Sequence, residues 1–343
     1  MDQVSMQPKV NLDVMRSFAI GLVVLDHVLL AQKVAVVGRW EPAWIGVAGV
    51  YMFFVHTCLV LMWSLERKPH TLDFYIRRGF RIYPLVLVAL LFAVVLRAPV
   101  GGSPNDFFVA IHPDLQTILS NGTLTQNLFD RDNILGVLWS LPLEVDMYLL
   151  LPVLFFFVRR NFTLWPLLLF WALAAGLSFR MLEDGNQFAT VIPCFLPGVM
   201  AYVLFRRVRP RAPGWLFPGF LLLLTVLFMM WPSVGASWPL CLALGIGLPF
   251  FHPINFGLVA RVSHEIAKYS YGIYLSHPFA LVFGFYVLAG RSLWMQLGVT
   301  IVAIAVLSVA AYHLLEKPMI NLGAKLAAKA EKRYEQKHLD AYL

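Results

Sequence analysis

A chain of 343 residues that is 59% hydrophobic and only 13% charged cannot fold as an ordinary soluble globule. Its apolar runs are those of a polytopic helical membrane protein. The formal net charge of +8 therefore bears on which loops hold lysine and arginine, not on nucleic-acid binding.

Apolar stretches in a window of about 19 residues predict ten spans. They lie near residues 12–31, 44–64, 82–97, 137–157, 163–181, 188–205, 215–231, 237–251, 267–288 and 293–314. No small-residue cleavage site follows the first, so it is expected to be a retained helix and not a signal peptide. Cys58, Cys194 and Cys241 fall within apolar runs and are expected to be packing residues; neither a disulfide framework nor a metal spacing is visible. Basic residues gather on alternate segments, as at Arg67–Arg81, Arg159–Arg160, Arg206–Arg211 and the C-terminal stretch. The segments between them hold only isolated cations such as Arg97, Arg131 and Arg291. That alternation predicts both termini in the cytoplasm. The expected fold is thus an all-α polytopic transmembrane helix bundle of about ten spans. Residues 1–318 would form the membrane domain. Residues 319–343 would be a basic cytoplasmic tail, either lying on the anionic leaflet or standing as a solvated helix. Ala98–Gly136 reads as a long outer loop, the usual place for a lid. No internal repeat or appended soluble domain is apparent.

The first span carries the most informative charges: Asp13, Arg16, Asp26 and His27. Charge inside a span is costly and usually marks a substrate or proton path. Arg16 and His27 return to within roughly 20° of one helix face, about 16 Å apart along the axis. Asp13, three residues before Arg16, lies where the two side chains meet. With the N-terminus inside, Arg16 stays near the inner surface and His27 lies in the outer part of the core. A buried, hydrogen-bonded histidine with a snorkelling arginine is the architectural alternative.

In LWSLPLEVDMYLLLP, Glu144 and Asp146 enter the fourth span from outside, at a depth comparable with His27. An imidazole and carboxylates at one level suit general-base chemistry, although an inter-helix polar pair is the simpler reading. Arg77, Arg78 and Arg81 in FYIRRGFRIYP form a compact cluster at the inner surface. Arginine forks there suit phosphate oxygens; the positive-inside bias alone accounts for the cluster equally well. In YSYGIYLSHPF, Tyr271, Tyr274 and His277 share a face, lining either a polar tunnel or an aromatic packing stripe. Glu316 is expected near the inner surface, pairing with an arginine.

Taken together these motifs resemble the acyltransferase-3 family of integral membrane acyltransferases, which includes bacterial O-antigen and other glycan O-acetyltransferases. The likeness rests on five motifs in order: Arg16 and His27 within LDVMRSFAIGLVVLDH; Arg78 and Arg81 in RRGFRIYP; Trp139, Ser140, Leu141 and Glu144, followed by Tyr148; Ser270–His277; and Glu316 with Pro318. The second span departs from the family pattern, with Tyr51 where an aspartate is usual and His56, Thr57 and Cys58 replacing an apolar–Ser–Gly run. Ser276 also stands where tryptophan is common. The resemblance implies a multi-pass enzyme of the bacterial inner (plasma) membrane, without a fused esterase-like domain. It would take acetyl-CoA or another acyl-CoA as donor, need no metal, and acylate a hydroxyl of a glycan or similar acceptor at the outer face. It implies His27, Glu144 and Arg16 as the catalytic group. Arg77, Arg78, Arg81, Asp13, Tyr271, Tyr274 and His277 would bind the donor. A secondary transporter of a small polar or anionic substrate is the main rival, since polar residues at depth suit a translocation path too.

Overall fold

The computed structural model describes residues 9–34, 41, 43–96, 113–160, 163–182 and 187–340. Among them the chain is helical throughout. The helices are α1 (Lys9–Ala31), α2 (Ala43–Arg67), α3 (Thr71–Leu96), α4 (Leu115–Thr123), α5 (Ser140–Val158), α6 (Leu164–Met181), α7 (Gln187–Phe205), α8 (Phe217–Met230), α9 (Val234–Gly247), α10 (Gly257–Leu281), α11 (Leu293–Ala311) and α12 (Lys317–Asp340). Two π-helical segments, Val282–Val287 and Tyr312–Glu316, follow α10 and α11.

Each expected span contains a helix, but not every helix has a span's character. Six are long and apolar enough to cross a membrane: Lys9–Ala31, Ala43–Arg67, Thr71–Val95, Gly136–Val158, Leu164–Met181 and Leu293–Arg333. Three more, Thr190–Phe205, Gly214–Met230 and Val234–Phe250, are apolar but shorter. The first half of α10 carries Arg261, His264, Glu265 and Lys268. The third helix also differs from expectation: it begins at Thr71, so Arg77, Arg78 and Arg81 ride on its first turns and do not belong to a loop. The hydropathy window registers apolarity, whereas these polar turns are helical for other reasons. Pro69 forces a break before them, and Asp73 in the first turn favours the helix N-terminus.

The chain divides into two compact units, the first being Met1–Val60 with Phe157–Tyr274. Here α7 packs against α6 and α9, and α1 against α8. Small residues set the closest approaches. A Cβ on Gly198 of α7 would lie 2.3 Å from the Val55 carbonyl oxygen of α2, and one on Gly245 of α9 would lie 2.4 Å from that of Pro197. Phe54 stacks on Phe195 at 4.1 Å beside this crossing. Pro197 has no N–H to give the Pro193 carbonyl, four residues earlier. The indole Nε1 of Trp171 donates to that carbonyl instead, at 2.9 Å. Cys58, Cys194 and Cys241 are buried free thiols, the packing role read from the sequence.

The second unit is Leu61–Phe156 with Leu275–Leu343. Its main contact is α12 along α3: Gly323 closes onto the Phe80 ring, and Lys68 pairs with Glu331 at 3.7 Å. The basic C-terminal stretch is thus a docked helix here. Of the long loop, residues 97–112 lie outside the described residues, but 113–135 fold. Asp114 caps α4 by accepting from the Thr117 amide at 2.7 Å. Asn121, fully buried, donates to the Thr117 and Asp132 carbonyls and accepts from the Ile134 amide. Tyr83 of α3 donates to the Thr123 carbonyl, and Asn127 donates to Asp146 of α5 at 2.8 Å. This segment is therefore fastened to its own unit at two points.

Gly198→Ala is expected to destabilise the first unit by about 1–3 kcal/mol, because the new methyl meets backbone that cannot swing away. Gly219→Ala in α8, where nothing lies within 4 Å, should stay within about 0.5 kcal/mol. Thermal unfolding of both variants in detergent checks the contrast.

Candidate active site

In the first unit the polar residues of α1 are answered one by one. Asn11 donates to the His252 carbonyl and accepts from the Ile254 amide, both at 3.0 Å. Ser17 donates to the Ser263 carbonyl at 2.8 Å. Asp13 is held by Nδ1 of His264 at 2.9 Å, and Arg16 donates to Ser270 Oγ at 2.5 Å. Asp13 and Arg16 thus each have a partner on α10. Ser270 belongs to the late motif that contains Tyr271 and Tyr274, so that motif reaches α1 through its serine.

His27 lies near the end of α1, half-buried, with Nδ1 2.8 Å from the Val23 carbonyl oxygen. A carbonyl only accepts, so the ring proton on that side sits on Nδ1 and Nε2 is the basic nitrogen. Nδ1 is also 3.5 Å from Oδ2 of Asp26. The carboxylate of Asp26 is buried, 4% exposed, and lies directly over Gly46 of α2. Within its own unit the ring thus has the Val23 carbonyl and the Asp26 carboxylate beside it.

The second unit holds the other half of the predicted site. Glu144, in the first turns of α5, accepts from the Tyr148 hydroxyl at 2.8 Å. Arg78 is hydrogen-bonded to the same tyrosine, with Glu144 and Arg81 in electrostatic range. Glutamate, tyrosine and two arginines therefore form one cluster. Arg77 faces elsewhere. It grips Asp73 with two bonds, Nε to Oδ2 at 2.6 Å and the terminal nitrogen to Oδ1 at 3.0 Å. Asp73 is 3% exposed, so this is a built helix-surface pair, and Arg78 and Arg81 are left as the pair with a polar cluster beside them. His277 is fully buried in the same unit, as is Glu316 in its π-helical segment; Tyr274 is buried and Tyr271 half-buried in the first unit.

Two of these pairings were available to sequence reasoning. Asp73–Arg77 and Glu144–Tyr148 are each four residues apart on a helix, where side chains meet. The pairings of α1 with the segment from His252 to Ser270 join residues more than two hundred positions apart, as Arg16 with Ser270, and no spacing rule reaches them.

A family profile described as an acyltransferase domain (Acyl_transf_3) matches residues 9–314. Nodulation protein 10 of Rhizobium leguminosarum bv. viciae is 26% identical over an alignment of 367 positions, covering 93% of this chain and 95% of that protein. Acyltransferase MdmB of Streptomyces mycarofaciens is 34% identical over 143 residues, covering 39% of this chain and 34% of the relative. No solved structure matches.

The Asp73–Arg77 pair makes an asymmetric prediction. Arg77→Ala strands a buried carboxylate and should cost about 3–5 kcal/mol. Asp73→Ala leaves a guanidinium whose side chain is 30% exposed, so its cost should be smaller. The order of the two melting temperatures in detergent tests this.

Proposed function

The chain belongs to the acyltransferase-3 family, a family of membrane acyltransferases, and from that premise we propose that it is an acyl-CoA-dependent O-acyltransferase. The donor would be acetyl-CoA, approaching from the cytoplasmic side of a bacterial plasma membrane. The acceptor would be a hydroxyl of a glycan or similar compound near the outer face. Nodulation protein 10 and acyltransferase MdmB are both bacterial, which supports that location.

The observation that carries the proposal is the protonation of His27. With Nδ1–H committed to the Val23 carbonyl, the ring offers Nε2 as a base on a charged face of an apolar helix. In the reaction, Nε2 takes the proton of the acceptor hydroxyl as its oxygen attacks the thioester carbonyl. The tetrahedral intermediate collapses, the C–S bond breaks, and the coenzyme A thiolate leaves with the proton returned by the imidazolium. Arg78 and Arg81 would hold donor phosphates, for which two arginine forks three residues apart on one helix are suited. Tyr148 and Glu144 would fix the Arg78 fork. Arg16, held by Ser270, would meet the donor along its path to His27.

His27→Ala is expected to abolish thiol release from acetyl-CoA while the protein still purifies as a single species. Full turnover in that variant ends the proposal. Arg81→Ala should raise the KM for acetyl-CoA about 10- to 100-fold, the loss of a charge-assisted hydrogen bond, with kcat much less affected. Substrate flux across proteoliposomes without thioester consumption would instead identify a transporter.

A further inference from the structure

The family motifs leave one buried charge of α1 without a task. Asp26 is 4% exposed, and its Oδ1 has no hydrogen-bond donor among the described residues. Carboxylates kept for architecture are normally satisfied on both oxygens. This one instead directs Oδ2 to 3.5 Å from Nδ1 of His27. It holds that place because α2 has no side chain there. A Cβ on Gly46 would come within 2.3 Å of Oδ2, 2.9 Å of Cγ and 3.0 Å of Cβ of Asp26. One turn on, a Cβ on Gly49 would meet the Ala19 carbonyl at 2.5 Å. The two glycines thus let α2 lie against α1, and the first shapes a niche the size of one carboxylate.

We propose that Asp26 is the positioning residue of His27, seated by Gly46, and that its carboxylate, 3.5 Å from Nδ1, orients the ring and balances the imidazolium formed during transfer. The inference rests on the reading of His27 as the base. The Val23 carbonyl fixes the tautomer, but as a neutral acceptor it does little for a cation. A carboxylate in a site shielded from water does far more. Asp26 also differs from Glu144 in where it comes from: it lies on the same helix as the ring, beside it in sequence, and needs no second helix to deliver it.

Asp26→Asn keeps the size of the side chain and removes its charge. Turnover of acetyl-CoA with a crude envelope-glycan extract as acceptor should fall about 10- to 100-fold in kcat, with the KM for acetyl-CoA within twofold of the parent. Gly46→Ala should give the same split, and combining the two should cost no more than either alone. A merely structural loss would reduce the folded fraction and make the two effects add. A second readout needs no acceptor. Carbethoxylation of His27 by diethylpyrocarbonate at pH 8, followed by mass spectrometry with exposed His264 as internal reference, should slow at least threefold in both variants. Unchanged kcat or an unchanged carbethoxylation rate in Asp26→Asn overturns the role of Asp26. His27→Ala retaining turnover overturns the base itself, so the two failures are told apart.

Discussion

The polar groups in the first half of α1 need partners from elsewhere in the fold, because a bilayer offers them nothing else. Asn11, Asp13, Arg16 and Ser17 all find their partners in the segment from His252 to Ser270. These contacts fix the rotation of α1 about its axis, and rotation is what decides where His27 points. A turn of one residue, about 100°, would carry Asp26 out of its niche beside Gly46 and break four pairings at once. The polar stripe near one end of α1 therefore acts on the geometry at the other.

The second unit solves a related problem by different means. Its arginines sit on consecutive turns of one helix, where like charges would repel. The repulsion is offset by carboxylates: Asp73 takes Arg77, while Arg78 and Arg81 share the surroundings of Tyr148 and Glu144. Asn121 and Asn127 do comparable work in the loop, turning an irregular stretch into a folded segment with satisfied backbone groups.

How much of this the sequence disclosed depends on the range of each interaction. The helical character of the chain and the Arg16–His27 spacing follow from periodicity within one segment, and so could be read. The start of α3 was missed because a hydropathy window cannot see a polar helix. The contact of Asp13 with His264 was not legible, because the two lie 251 positions apart and only Arg16 was near in sequence. Gly46 carried no signal at all. A glycine in an apolar helix looks the same whether it eases packing generally or leaves room for one carboxylate, and only the position of Asp26 distinguishes the two.

The docking of α12 on α3 also supplies a ruler. Leu293–Arg333 runs as one 41-residue helix, roughly 60 Å long at 1.5 Å per residue, or twice the hydrocarbon thickness of about 30 Å. That helix therefore outruns the apolar layer before it ends, and Phe80 rests against Gly323 in its later part. The α3–α12 contact thereby ties the arginine-bearing turns of α3 to the stretch where apolar residues give way to Lys317, Lys325 and Lys329.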